Sequence, residues 1–158
     1  MQAAAVASNT GKADCSFGRA RRLRRPRDYA AVLAASRSRS LRLAGEWLSL
    51  AAAGLPAVPP GARLGITVSK RMARRAVDRA LMKRIVREAF RASAAALERS
   101  AVAAGLRIDI SIRLKRPIGA PGDARRPSLA LWRGLLRDEA DQMFAAAVVR
   151  FDVAASHA

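Results

Sequence analysis

The stretch that most constrains the fold is residues 63–91, where an alternating apolar pattern gives way to a helical one. In residues 63–69 apolar side chains occupy every second position, which is the period of a strand buried on one face. In residues 78–96 they recur at helical spacing, and Asp78 is a suitable residue to cap the start of that helix. A strand leading so quickly into a helix predicts a fold of mixed α and β structure.

The chain on either side of this stretch contains further elements. Pro26 suits the first position of a short amphipathic helix. Residues 54–61 are rich in glycine and proline and predict a hairpin-like connection. In chain order, the predicted elements are a helix over 27–36, strands over 46–52 and 63–69, a helix over 78–96, a strand over 107–115 and a helix over 128–149.

The order of these elements predicts an α+β protein, arranged as an α-β-β-α-β-α two-layer sandwich. Each alternating strand has one polar face, so we expect the helices to cover one face of a small mixed sheet. The other face of the sheet would then be exposed to solvent and basic. We expect one domain over residues 19–149, with flexible tails at 1–18 and 150–158.

The charge of the chain indicates a polyanionic partner. Lysine and arginine number 30 against 12 acids, which gives a net charge of +18 and a pI near 11.9. Most of the basic residues are arginine, whose planar guanidinium holds phosphate at two points and stacks on bases. A coding bias can favour arginine over lysine, but it does not remove acids. We therefore interpret the charge as a sign of nucleic-acid binding.

Several other classes of protein are excluded by the composition. No uncharged apolar run is long enough for a transmembrane helix, and residues 1–10 read as a loose tail, not a signal peptide. Cys15 is the single cysteine and His157 the single histidine. These counts argue against disulfides, zinc sites and a Ser-His-Asp triad. We expect a cytoplasmic protein with no catalytic residue, no metal ligand and no bound cofactor.

The basic residues are concentrated in the same stretch that constrains the fold. Residues 63–91 hold ten basic residues and two acids. A merely solvated helix face would mix the signs of its charges, and like charges at helical spacing repel by a few tenths of a kcal/mol per pair. An anionic partner explains this pattern better. The candidate RNA-binding residues are Lys70, Arg71, Arg74, Arg79, Lys83, Arg84, Arg87 and Arg91.

This segment resembles the signature of the bacterial ribonuclease P protein component. The family has a strand ending in V-S-K-K, a short basic turn, and then R-N-R-x-K-R-x-x-R-x-x-F. This chain has V-S-K-R at residues 68–71, and R-A-L-M-K-R-I-V-R-E-A-F at residues 79–90. The resemblance extends over residues 19–148. Ala80 and Leu81 replace the family's Asn and second Arg, so the contacts of those two side chains are not carried over.

The resemblance implies a function and one further feature of the fold. In this family a catalytic RNA, using bound Mg²⁺, removes the 5′ leader of precursor tRNA. The protein is an accessory subunit of that ribonucleoprotein endonuclease and supplies no catalytic residue. Its partners are the catalytic RNA and precursor tRNA, with no membrane and no small-molecule substrate. The family fold contains a left-handed βαβ crossover.

The resemblance also implies a cleft for the single-stranded leader. Tyr29 matches the first of two aromatic positions on the family's first helix, and Leu33 takes the second. We expect Phe17, Tyr29 and Leu33 to line this cleft, where stacking contributes about 1–3 kcal/mol per base. The alternative for Tyr29 is an aromatic at the edge of the core, and for Phe17 a place in the tail. The core candidates among the other aromatics are Trp47, Phe90, Trp132 and Phe144.

Two other functions remain open from the residues alone. A non-catalytic RNA-binding module, such as a ribosomal protein, fits the size and charge equally well. A protein-only nuclease would need clustered carboxylates to hold Mg²⁺. The acids of this chain are scattered, and Asp109 has no acidic neighbour in its strand.

Overall fold

Helices and strands account for most of the chain that the computed structural model describes, residues 17–118 and 129–156. Single 3-10 turns lie at Arg19–Arg21 and Arg37–Arg39. The other elements are α1 (Pro26–Ala34), β1 (Ser40–Ala44), β2 (Leu48–Pro56), β3 (Gly61–Thr67), α2 (Ala76–Ala104), β4 (Leu106–Leu114) and α3 (Leu129–Ser156).

The ends of α2 differ from the prediction. The helix begins at Ala76 after the N-cap Arg75, so Asp78 lies inside the first turn and is buried, and its prediction as the cap is wrong. The helix continues past residue 96 because the following segment is rich in alanine, which has the best helix propensity. It stops at Gly105, whose φ of 62° is favoured by glycine, and whose N–H donates to the last carbonyls of the helix.

The four strands form one mixed sheet in the order β1-β2-β4-β3. Strands β1 and β2 form an antiparallel hairpin, β2 and β4 are antiparallel, and β3 and β4 are parallel. The prediction of a hairpin at residues 54–61 is wrong, because β4 lies between β2 and β3. Helix α2 connects the parallel strands β3 and β4, which forms a βαβ unit. The left hand of that crossover stays a prediction.

Helices α2 and α3 cover one face of the sheet and form the main core with it. Ile108, Ile110 and Ile112 of β4 are fully buried against these helices. Phe90 of α2 meets Phe144 of α3 edge-to-face, with ring centroids 5.6 Å apart. Phe90, Phe144 and Trp132 are confirmed as core residues, whereas Trp47 is half-buried with the Arg116 guanidinium 4.8 Å from its ring.

Helix α1 lies on the opposite face of the sheet, which corrects the expectation that all helices share one face. Val32 of α1 is buried against Ala53 of β2, whose small side chain lets the helix approach closely. Tyr29 covers Gly65 of β3, where an added Cβ would come within 2.6 Å of the tyrosine ring. Helix α1 therefore covers part of the polar face of the sheet, which is not fully exposed to solvent.

The last helix runs past the predicted end of the domain at residue 149. Helix α3 runs to Ser156 and buries Phe151, so residues 150–156 are helical, not a flexible tail. At the other end, the N–H of Leu23 donates to the Leu64 carbonyl at 3.0 Å and covers the outer edge of β3. Residues 1–16 of the predicted N-terminal tail, with Cys15, lie outside the described residues, as does His157.

Candidate nucleic-acid interface

The loop at residues 68–75 holds three of the predicted RNA-binding side chains in fixed positions. The N–H groups of Met72 and Ala73 both donate to the Ser69 carbonyl at 3.1 Å, and Ala73 is fully buried. The N–H of Ile118 donates to the Met72 carbonyl at 2.7 Å and ties the loop to the segment after β4. The loop backbone is therefore anchored, while its cations are exposed. Those cations are Lys70, Arg71 and Arg74.

Arg79 links this loop to α2. One nitrogen of its guanidinium, Nη1, donates to the carbonyls of Ala73 (2.9 Å) and Arg74 (2.7 Å). This contact orients the loop against the first turn of the helix and leaves other guanidinium nitrogens able to donate to a phosphate. Arg79 therefore positions the interface as well as adding charge to it.

Arg84 and Arg87 face different neighbours, although the helical pattern placed both on one face. Arg84 is exposed and donates to Glu88 at 3.1 Å. Arg87 is half-buried, with its guanidinium 5.8 Å from the Phe17 ring, and its Nε has no hydrogen-bond partner in the described part of the chain. Burial, and then the nearby charges of Arg22 and Arg91, lower the pKa of Arg87. A guanidinium stays charged even so.

Several of the acids that the structure describes pair with arginines outside the candidate RNA-binding set. Asp109 is fully buried and accepts two hydrogen bonds from Arg63, at 2.9 and 2.7 Å. Arg21 pairs with Glu98 at 2.8 Å. In contrast, the following predicted residues form no ion pair within 4 Å to a carboxylate of the described residues: Lys70, Arg71, Arg74, Arg79, Lys83, Arg87 and Arg91. Their charge is free to bind an anion.

Phe17 lies in the core and not in the predicted leader cleft. It is 7% exposed and packs edge-to-face on Phe90, with centroids 5.8 Å apart. The Arg22 guanidinium donates to the Phe17 carbonyl at 2.9 Å and lies 5.2 Å from its ring. Because Phe17 packs on α2 and Tyr29 lies across the sheet, the two cannot line one cleft. This placement corrects the assignment of Phe17.

Tyr29 and Leu33 both lie on α1, at the border of the uncovered part of the sheet. The Tyr29 hydroxyl donates to the Leu23 carbonyl at 3.3 Å, and burial raises the pKa of that hydroxyl. Leu33 is 58% exposed. Tyr29 therefore packs against the sheet and is partly exposed as a residue, and Leu33 is accessible near the helix end.

Two arginines on the same face of the sheet as Tyr29 were not assigned from the sequence. Arg113 of β4 is exposed and donates to the Ser49 hydroxyl at 3.0 Å. Arg42 of β1 is exposed and donates to the Leu33 carbonyl at 2.6 Å. The alternating pattern of β4 placed Arg113 on the polar face of that strand, so the sequence did contain a signal that could have identified this residue. Arg42 lies in a strand of five residues, too short to give a clear period.

The described residues offer no arrangement of metal ligands. Within residues 17–118 and 129–156, no three His, Cys, Asp or Glu side chains lie close enough together to hold a metal ion. Asp109 is held by Arg63 and Arg107, which compete with any cation for its oxygens. No helix in these ranges is both long and apolar enough to span a lipid bilayer.

The fold and this surface together define a class, a small α+β protein whose helix α2 and preceding loop present unpaired cations to a polyanion. The chain belongs to the ribonuclease P protein family, because the family model described as Ribonuclease P matches residues 17–126.

Individual relatives carry the same description. The ribonuclease P protein component of Bordetella parapertussis is 44% identical over 78 residues, which cover 48% of this chain and 61% of that protein. The component of Thioalkalivibrio sulfidiphilus is 41% identical over 83 residues, covering 49% and 60%. The matched part of the chain thus spans about three fifths of the length of these curated relatives.

A solved structure supports the fold. The RNase P protein of Staphylococcus aureus matches with a TM-score of 0.55 and 19% identity, over 80% of this chain and 94% of that one. The likeness confirms the mixed α+β architecture that the sequence predicted.

Proposed function

We propose that this chain is the protein subunit of ribonuclease P. It binds the catalytic RNA and the 5′ leader of precursor tRNA, and assists endonucleolytic removal of the leader to give the mature 5′ end. The catalytic RNA performs the cleavage, and this chain supplies no catalytic group. Membership of the family and the basic surface both support this role.

The observation that carries the proposal is the set of unpaired cations on an anchored loop and the first half of α2. Residues 70–91 contain nine basic residues and two acids. Neutralisation of phosphates dominates the affinity of such surfaces and does not depend on base sequence. A surface of this kind suits a large structured RNA.

The second part of the proposal is a leader-binding surface on the opposite face of the sheet. Tyr29 and Leu33 offer a partly exposed aromatic residue and an apolar contact for bases, and Arg42 and Arg113 lie on the same face of the sheet to hold phosphates. Aromatic stacking together with a cationic groove is the usual arrangement for single-stranded RNA.

The proposal assigns Mg²⁺ to the catalytic RNA and not to this chain. The residues present do not suit Mg²⁺, since arginine engages the buried carboxylate of Asp109 and the half-buried one of Asp28. The holoenzyme requires Mg²⁺ for cleavage, and the site of action would be the cytoplasm. The chain contributes positive charge, which reduces the amount of Mg²⁺ needed to bring RNA strands together.

Reconstitution tests this function directly. The full chain is mixed with the catalytic RNA of the same organism, and leader removal from a precursor tRNA is measured at low Mg²⁺. We expect faster cleavage than with the RNA alone, and no cleavage by the protein alone. Cleavage by protein free of RNA, or no effect on the RNA, would contradict the proposal. Recovery of ribosomal RNA from cells would favour a ribosomal protein instead.

Charge removal locates the interface. The double substitution Arg71→Ala and Arg74→Ala should lower the log–log salt slope of RNA binding by about 0.7–0.9 for each lost phosphate contact. Arg99→Ala removes one exposed charge from the other half of α2 and serves as the control, with an unchanged slope expected. Equal slopes in all three proteins would remove the loop from the interface.

Tyr29 is tested through the difference between two tRNA substrates. Tyr29→Ala should weaken binding of precursor tRNA by the holoenzyme about tenfold, and leave mature tRNA unaffected, since one stacking contact is lost. Tyr29→Phe keeps the ring and loses only the hydroxyl contact to Leu23, so it should bind nearly as the original chain does. Equal losses on both substrates would assign Tyr29 to packing alone.

A further inference from the structure

A groove of about 400 Å³ lies between α2 and α3, next to the basic first half of α2 and on the other side of the sheet from Tyr29 and Leu33. Its volume falls within the range of about 300–1,000 Å³ that is usual for small-molecule and cofactor sites. Leu81, Arg84, Ile85 and Glu88 of α2 line one side. Arg133, Gly134 and Arg137 of α3 line the other side.

The rim of the groove is positively charged. Its three arginines meet two carboxylates. Glu88 accepts a hydrogen bond from Arg84 at 3.1 Å and lies 4.0 Å from Arg137, and Asp141 pairs with Arg137 at 2.8 Å. Arg133 is exposed and has no ion pair within 4 Å to a carboxylate in the described ranges. The lining therefore keeps a net positive charge after internal pairing, which suits a phosphate.

The inner wall is apolar and is kept open by a glycine. Leu81 and Ile85 supply the apolar surface, and Ile85 is 6% exposed. Gly134 lies inside a 28-residue helix, where glycine is clearly less favourable than alanine. A Cβ added there would meet nothing within 4 Å. Packing therefore does not require glycine at this position, and its effect is to leave space in the groove.

We propose that this groove binds one unpaired nucleotide of an RNA. The phosphate lies against Arg84 and Arg133, and the base lies over Leu81, Ile85 and the Cα of Gly134. A cationic rim over an apolar wall matches the two parts of a nucleotide, since stacking and phosphate contact occur together in single-strand binding. The inference rests on the proposed function, because the RNA that would supply this nucleotide is the catalytic RNA.

The test fills the groove without changing its charge. Gly134→Leu places a side chain in the open space, and Ala145→Leu adds the same bulk at an exposed position of α3 outside the groove. Urea unfolding checks that both variants are folded. Gly134→Leu is expected to be at least as stable as the original chain, and Ala145→Leu nearly as stable, since the helix propensity of leucine is far better than that of glycine and only slightly below that of alanine. Binding to the catalytic RNA is then measured over a range of salt concentrations.

We expect Gly134→Leu to weaken RNA binding about tenfold with an unchanged salt slope, because one base contact is lost and no charge is removed. Arg133→Ala should weaken binding and also lower the slope by about 0.7–0.9. Chemical probing of the RNA 2′-hydroxyls should show one unpaired nucleotide that the original chain and Ala145→Leu protect and Gly134→Leu does not.

The results also separate this inference from the function on which it rests. If the original chain fails to bind the catalytic RNA, the proposed function and the groove assignment both fall. If the original chain binds and Gly134→Leu binds equally well with the same protection pattern, only the groove assignment falls. Competition by free AMP or GMP that abolishes binding at the groove, with no nucleotide protected in the RNA, would assign the groove to a free nucleotide and overturn the proposal.

Discussion

At the scale of single residues, buried ion pairs fix how α1 and the sheet meet. Asp109 of β4 is fully buried, and Arg63 of β3 binds both of its oxygens. Arg63 also reaches Asp28 of α1 at 3.5 Å. The carboxylate of Asp109 and the Arg63 guanidinium therefore hold two strands together and connect them to the helix. This network pairs acids with arginines, so these acids do not reduce the charge of the proposed RNA-binding surface.

Removing the buried carboxylate should be costly. Asp109→Asn leaves Arg63 without its bidentate partner, and loss of one partner of a buried pair typically costs about 3–5 kcal/mol. Urea unfolding measures the change. The control is Glu46→Gln, which breaks an exposed pair with Arg116 and should cost at most about 1 kcal/mol. Similar small losses in both variants would show that the Arg63 pair adds little to stability.

Asp28 makes stability depend on pH. Burial acts to raise the pKa of its carboxyl, but the N–H groups of Arg25 (3.2 Å) and Arg24 (3.4 Å), together with the charge of Arg63, outweigh burial and hold the pKa below its ordinary 3.8. A carboxyl whose pKa is lowered by folding stabilises the fold above its unfolded pKa. That stabilisation is lost as pH falls through the lower, folded value.

The substitution Asp28→Asn should therefore reduce the free energy of unfolding at neutral pH. The difference from the original chain should shrink as pH falls below about 4, where the unfolded carboxyl begins to take up its proton. Urea unfolding across this pH range provides the measurement. A difference that stays constant with pH would mean that packing, not ionisation, explains the effect of the substitution.

At the scale of elements, an aromatic column joins the N-terminal segment to both long helices. Phe17 contacts Phe90 of α2, and Phe90 contacts Phe144 of α3, each edge-to-face. Arg22 and Arg87 both place their guanidinium groups near the ring of Phe17. The column therefore holds the cationic N-terminal segment and the cationic helix α2 beside α3, and its burial opposes the repulsion between the first two.

Phe17→Ala tests this packing in the free protein. We expect a loss of about 3 kcal/mol, at the low end of the usual cost for a buried phenylalanine, because Phe17 lies outside the helices and strands and keeps 7% of its surface exposed. Thermal and urea unfolding without RNA measure the loss, and Leu33→Ala, which truncates an exposed side chain, is the matched control. Unchanged stability in Phe17→Ala would return Phe17 to the list of residues free to contact RNA.

At the scale of the whole molecule, the net charge of +18 acts against folding and in favour of RNA binding. Self-repulsion destabilises a compact, highly charged chain. At 0.1 M ionic strength, salt screens the interaction between exposed charges that lie more than about 10 Å apart. Buried pairs such as Arg63–Asp109 are screened much less. The same salt should therefore have opposite effects on the free protein and on its complex.

We expect the Tm of the free protein to rise between about 0.05 and 0.5 M NaCl. Over the same range its affinity for the catalytic RNA should fall steeply. Calorimetry measures the first quantity and filter binding the second. A Tm that falls with salt would show that exposed pairs such as Arg21–Glu98 outweigh the repulsion between unpaired cations.

The sequence by itself determined the local elements and the sign of the surface charge. Alternation and helical spacing are set by neighbouring side chains. Most of the ends of five elements could therefore be predicted to within a few residues, namely those of β3, β4, α1, α2 and α3. The basic loop and the exposed face of α2 were likewise visible, because charge is a property of composition and the outer face of a helix follows from its period. β1 was missed because five residues give too weak a pattern.

Only the tertiary structure decided which distant residues meet. The position of β4 between β2 and β3, and the place of α1 on the second face, depend on contacts between residues far apart in the chain. So do the burial of Phe17 and the groove that Gly134 leaves between α2 and α3. Periodicity assigns a side chain to a face of its own element, but the partner of that face follows from packing the whole chain around one core.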